Sequence, residues 1–167
     1  EFEQVAGDAP AEAASLDMVR QLIAGGVMAL PSFTDSGGPV PRSGGRGRIV
    51  GDLPASPEAR ASLAALYCAQ MVSEQLDAIF SHHDIIVDGP FSQNAVLMAL
   101  LAQLRKGQRV LASDLRDGTT AGAAALALID GTVLPNIALN LIASKASAIA
   151  GLADYHARWK EKAYDAR

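Results

Sequence analysis

Asp84-Ile-Ile-Val-Asp-Gly-Pro-Phe-Ser-Gln-Asn94 runs straight into the apolar stretch Ala95 to Ala102. Ile85 to Val87 is a continuous apolar run, which predicts a strand buried on both faces. Gly89-Pro90 breaks it, and a helix is expected from Ser92 to Lys106 with Gly107 as its stop. A second small-residue turn follows at Gly118-Thr-Thr-Ala-Gly-Ala-Ala-Ala-Leu-Ala127. It comes after a strand expected at Arg109 to Ala112 and opens a helix expected from Thr120 to Ile129. Strand, helix, strand, helix in this order makes a βαβα unit, which argues for parallel pairing. Both turns feed helix N-termini, where free backbone N–H groups can face an anion such as phosphate. Side by side at strand carboxyl ends, they would form one wall of a nucleotide cleft.

Outward from this unit, further elements are legible. Residues 1–14 are acidic and alanine-rich, and read as a loose lead-in. Ser15 caps a helix to Gly25, with Leu16, Val19, Leu22 and Ile23 on one face. Val27 to Leu30 is a strand candidate. Thr34 to Gly47 holds Gly37-Gly38-Pro39, Pro41 and Gly44-Gly45, and reads as a flexible loop. Arg48 to Val50 is a brief strand. Ser56-Pro57-Glu58 is a helix start, and the helix is expected to reach Phe80, with Leu63, Leu66, Tyr67, Met71, Leu76, Ile79 and Phe80 at helical spacing. Residues 130–150 carry no decisive period, though Asn136 to Ala143 can be extended. Residues 151–167 form a last helix, with Leu152, Tyr155, His156, Trp159 and Ala163 on one face.

Composition narrows the function classes. Half of the 167 residues are hydrophobic, 19% are charged and the net charge is −4. These values suit one globular domain. Without runs of Lys or Arg, nucleic acid and anionic membrane are not expected partners. No apolar run reaches the roughly 18 residues of a membrane helix. The single Cys68 excludes an internal disulfide and suits the cytoplasm. His82-His83-Asp84 reads as a solvated turn, since adjacent residues converge poorly on one ion. The chain starts at Glu1 and ends at Arg167. Proteolytic cutting and designed domain borders both produce such ends, so a piece of a longer protein is expected.

Three matches in order give this chain a family resemblance. Val87-Asp-Gly-Pro-Phe-Ser-Gln-Asn94 resembles the adenosine motif of the FGGY carbohydrate kinases. Gly118-Thr-Thr-Ala-Gly-Ala-Ala124 is similar to the segment that follows it in that family. Gly26-Val-Met-Ala-Leu-Pro-Ser-Phe33, with Arg46-Gly47 and Gly51, is similar to the family's leucine-proline strand and Arg-Gly turn. The Tyr155/Trp159 helix fits the family's C-terminal helix. There are departures. Pro90 stands for the second glycine of the adenosine motif, Cys68-Ala69 with Val72 replaces the usual Arg-Ala…Glu of the long helix, and no Gly-Glu-Arg-x-Pro loop is recognisable in Thr34 to Pro41.

The resemblance implies an α/β, ribonuclease-H-like or actin-like ATPase lobe, incomplete here, with a short sheet flanked by helices. It implies the nucleotide-binding part of an ATP-dependent kinase for a small sugar, a ketose or polyol. ATP would be held by Gly89, Ser92, Gln93 and Asn94 and by Gly118, Thr119 and Gly122. These residues would take adenine, ribose and part of the phosphate chain, and Mg²⁺ would ride on the nucleotide. The family's catalytic base and sugar pocket lie mainly in an N-terminal lobe with no match here, so the isolated chain is expected to be inactive. A non-catalytic nucleotide-binding or regulatory protein of the same fold is the alternative. An apolar face left open by a missing lobe would favour self-association, a homodimer included.

Overall fold

The computed structural model describes residues 1–36, 38–115, 117–129 and 140–165. The centre is α3 (Pro57–Ala78), against which α1 (Phe2–Ala6), α2 (Leu16–Gly25) and α4 (Ala95–Leu104) pack. Ser56 Oγ accepts from Ala59 N at 3.1 Å, and Pro57 follows at the first helical position, so the start reads as its sequence predicts. Ala59, Ala61, Ala64, Ala65 and Ala69 are all buried on α3. These small side chains let three helices approach it from different sides, and that is where the alanine content is used. Cys68 is among these buried residues, and burial pushes its thiol up to about 12.

The strands form two sheets. β1 (Met28–Leu30) pairs antiparallel with β2 (Arg48–Val50). β3 (Ile85–Val87) pairs parallel with β4 (Val110–Ser113), Ile86 opposite Leu111, and β4 pairs antiparallel with β5 (Leu141–Ala143). The parallel β3–α4–β4 unit and the following α5 (Gly118–Ala127) are therefore as expected. α6 (Leu152–Tyr164) closes the fold by burying Leu152, Tyr155, Trp159 and Ala163.

Five expectations need correction. The lead-in is not loose. Val5 and Ala6 of α1 are buried against α3, and the Glu1 carboxylate accepts from Phe33 N at 3.0 Å, Thr34 Oγ1 at 2.7 Å and Tyr67 OH at 2.8 Å. The described part of loop 34–47 is tied down by backbone bonds, Ser32 N to Ser43 O, Gly45 N to Thr34 O and Gly47 N to Ser32 O, with Val40 buried beneath. β3 is not buried on both faces: alternate side chains point to opposite faces of the sheet, and while Ile85 is buried on one, Ile86 on the other is 52% exposed. α3 stops at Ala78, and Ile79 and Phe80 stand in solvent. Phe80 turns to φ +53° and Ser81 N bonds back to Leu76 O at 2.9 Å, which ends the helix in a Schellman-type turn. The helix expected from Ser92 begins at Ala95, for the reason given below. Of the last stretches, residues 136–139 and 166–167 lie outside the described residues.

Gly47 shows how tightly the loop is closed. A Cβ there would stand 2.5 Å from Phe33 Cγ and 2.7 Å from Phe33 Cα. Backbone cannot step aside as a flexible side chain can. Gly47→Ala is expected to cost about 2 kcal/mol in urea unfolding. An unchanged midpoint would show that the loop repacks freely.

Candidate nucleotide site

The two small-residue turns meet at the carboxyl ends of β3 and β4. After Val87 the chain passes Asp88 and turns at Gly89, whose φ of +72° is the left-handed region that favours glycine. Gly89–Gln93 then forms a 3₁₀ turn with Pro90 at its start. A proline fits there because a first-turn N–H has no intrahelical partner. Ser92 Oγ donates to Gly89 O at 2.8 Å, so Ser92 serves the turn itself. Asn94 is the true cap of α4, since its Oδ1 accepts from Leu97 N at 2.9 Å. That capping bond is why the α-helix begins at Ala95 and the segment before it stays 3₁₀.

Asn94 is 9% exposed, and its Nδ2 is buried without a hydrogen-bond partner among the described residues. Such a donor carries a desolvation cost until a partner arrives. Asn94 lines a cavity of about 580 Å³ together with Ala11, Glu12, Pro90, Gln93 and Val96. Its walls mix apolar side chains with the polar groups of Glu12, Gln93 and Asn94. Phe91, 45% exposed, stands beside the turn edge-on to Phe2 at 6.4 Å between centroids.

The second turn is fastened to the first. Gly118 N donates to Asp88 Oδ2 at 2.9 Å, and a Cβ on Gly118 would stand 2.0 Å from that oxygen. Asp117 caps α5 through Thr120 N at 2.9 Å and also accepts from Thr120 Oγ1, and these hydrogen bonds hold its carboxyl below the usual range. Thr119 is exposed. Gly122 is half-buried, and a Cβ there would meet nothing within 4 Å, so packing does not demand its small size. The structure thus brings Gly89, Ser92, Gln93 and Asn94 into one turn and joins Gly118 to it through Asp88. Gly118, Thr119 and Gly122 do not line the Asn94 cavity. Sequence reasoning missed Glu12 and the Asp88 link. Nothing in the local pattern around Glu12 marks it, because its place against Asn94 is set by how the segment before α2 packs.

The His82-His83-Asp84 turn is exposed, with Asp84 paired to Arg109. No helix among the described residues is long and apolar enough to cross a membrane.

Comparison with known proteins bears on the family and the fold. A carbohydrate kinase from Novosphingobium aromaticivorans superposes with a TM-score of 0.70 at 27% identity, over 98% of this chain and 32% of that one. The glycerol kinase of Plasmodium falciparum, solved with ADP, superposes with a TM-score of 0.60 at 19% identity, over 94% and 34%. The chain therefore spans about a third of the length of these solved kinases. No curated protein sequence matches it significantly. The mixed α/β architecture is that of the actin-like ATPase fold used by these kinases. Residues 1–135 match the family described as carbohydrate kinase FGGY, C-terminal domain, and with most of its length so matched the chain belongs to the FGGY carbohydrate kinases.

Proposed function

We propose that this chain is the nucleotide-binding part of an ATP-dependent kinase for a small sugar, a ketose or polyol, acting in the cytoplasm. The observation that carries the proposal is the left-handed Gly89 turn and its Asn94-capped helix start at the carboxyl end of β3, beside a cavity that Asn94 lines. Adenine offers ring-nitrogen acceptors and an amino donor to polar side chains such as Gln93 and Asn94, and a flat face for Pro90, Ala11 and Val96. In this reading Gly89 admits the ligand close to the backbone, Ser92 holds the turn, and Gln93 and Asn94 make polar contacts. Gly118, Thr119 and Gly122 form the second side of the cleft. The nucleotide, when bound, supplies the phosphoryl group and brings Mg²⁺ on its phosphates. The chain's own work is to bind, orient and exclude water.

Transfer to a sugar hydroxyl also needs a base. Asp84 is committed to Arg109 and Asp88 to Gly118, and Asp35, Asp52 and Asp114 have no matched role. We therefore propose that the 167-residue chain alone does not turn over ATP. ADP release is the test, measured with Mg-ATP and a panel of ketoses, aldoses and polyols, for this chain and for a protein that carries it with an N-terminal lobe. Sugar-dependent release only from the longer protein is expected. Release from this chain alone would overturn the inactivity. A folded longer protein that binds ATP but releases no ADP with any sugar would favour a regulatory nucleotide-binding role.

A further inference from the structure

α6 presents three faces, and one of them is unused within the described chain. Leu152, Tyr155, Trp159 and Ala163 fill the core, and His156, Lys160 and Tyr164 reach Glu74. The third face carries Arg158, Glu161, Lys162 and Asp165, all exposed. None of the four is in an ion pair with another described residue. The helix stacks Arg158 with Lys162 and Glu161 with Asp165, like signs four residues apart, an arrangement that works against a lone helix. Together with Arg48 and Val50 of β2 they border a hollow of about 560 Å³. Arg48 is also exposed and has no carboxylate partner among the described residues. Ala166 and Arg167, which follow, lie outside the described residues.

We infer that this face of α6 is where two copies of the chain meet, helix against antiparallel helix across a two-fold axis. Arg158 and Asp165 are two turns apart, about 10.5 Å along one side of the helix. With the axis beside residues 161 and 162, Arg158 of each copy stands opposite Asp165 of the other. Glu161 and Lys162 of both copies surround the axis, two of each sign. One patch thus answers itself, as an isologous contact requires. A parallel pair would set Arg158 against Arg158 and Asp165 against Asp165, so charge also fixes the direction. A small anion fits this face less well, because Glu161 and Asp165 offset two of the three cations around the hollow. The contact uses none of the residues of the Gly89 and Gly118 turns, so it does not rest on the nucleotide reading. Exposed ion pairs contribute little each and are screened by salt, so the dimer is weak and dissolves as salt rises.

Sedimentation velocity of the 167-residue chain over a range of concentrations reads this association directly. Between about 50 mM and about 500 mM NaCl the dimer dissociation constant is expected to rise at least about tenfold. Arg158→Glu places carboxylate against carboxylate at both ends of the contact, and should weaken the dimer at low salt at least about tenfold. Asp165→Arg should do the same with cations. The double variant, Arg158→Glu with Asp165→Arg, swaps the two charges and should return the dimer to within about threefold of the parent. Both positions are exposed, so far-UV circular dichroism should show the same helix content in all four chains. A parent chain that stays monomeric at low salt would overturn the inference. So would a dimer indifferent to salt, which is the mark of association through apolar side chains. A single variant that associates as tightly as the parent, or a double variant as weak as the single ones, would overturn it as well.

Discussion

Trp159→Ala is expected to lower the unfolding free energy by about 4 kcal/mol and the melting temperature by roughly 10 °C. Trp159 is fully buried, stacks on His156 at 5.8 Å and meets Tyr67 edge-on at 6.5 Å. Its loss leaves a large cavity between α6, α3 and β1. It also removes a hydrogen bond, because Trp159 Nε1 donates to Ala29 O at 2.6 Å. Tyr155 OH does the same for Val27 O at 2.6 Å. Four helical residues rise about 6 Å, and two strand residues span about 6.6 Å. Donors four apart on α6 therefore match carbonyls two apart along the chain at β1, on an edge that would otherwise need water or another strand. Trp159→Phe separates the two contributions. It keeps most of the volume and orphans the Ala29 carbonyl, so about 1–2 kcal/mol is expected. Chemical denaturation measures both, and a loss below 1 kcal/mol for the alanine variant would show that α6 is not held through this side chain.

Glu74→Ala is expected to cost about 3 kcal/mol, because it strands partners around a buried carboxylate. Glu74 is 4% exposed. Its Oε1 lies 2.9 Å from Lys160 Nζ and 3.3 Å from His156 Nε2, and Tyr164 OH donates to Oε2 at 3.1 Å. Gln70 Nε2 sits 3.3 Å from His156 Nδ1 on the other side of the ring. Burial by itself would raise the Glu74 pKa, but the bonds from His156, Lys160 and Tyr164 outweigh it and hold the carboxyl below 4.5. A carboxyl depressed in the folded state adds stability that is complete above its unfolded value. That stability fades as the pH falls below about 4.5 toward the folded value. Denaturation of the parent and of Glu74→Gln from pH 3 to 7 should show a gap that is constant above about pH 5 and narrows below it. A gap that stays constant down to pH 3 would mean that Glu74 is not held as the carboxylate. Lys160 is 41% exposed, so solvent screens its share, and most of the loss should come from the groups that stay buried.

How much was legible beforehand follows from the range of each interaction. Ser15 and Ser56 announce their helices because an N-cap bond spans three residues, and the structure shows both, to Met18 N and Ala59 N. Asn94 obeys the same rule, and because Ser92, Gln93 and Asn94 are all polar, only the Oδ1 bond to Leu97 N separates the α-helix start from the 3₁₀ turn before it. The apolar run of β3 predicts burial on both faces, but composition cannot say whether an element packs on each face of the sheet, and Ile86 is left exposed. The five residues of α1 carry too little periodicity to declare a helix, and the burial of Val5 and Ala6 against α3 makes them one. The site divides in the same way. Gly89 and Asn94 stand out in the sequence, since one turn and one cap require those residue types. The Asp88–Gly118 bond joins residues 30 apart, and no local pattern encodes it.

The sequence by itself determined α2 and α3 with their Ser15 and Ser56 caps, the parallel β3–α4–β4 unit and the place of the Gly89 turn. All of these rest on contacts within a few residues or on hydrophobic period. Only the tertiary structure decided that Glu1 ties the loop to α3, that Glu12 joins Asn94 at one cavity, that Tyr155 and Trp159 close the edge of β1, and that an acidic side chain claims the start of α5. Each of these pairs groups far apart along the chain, and their meeting depends on how whole elements pack.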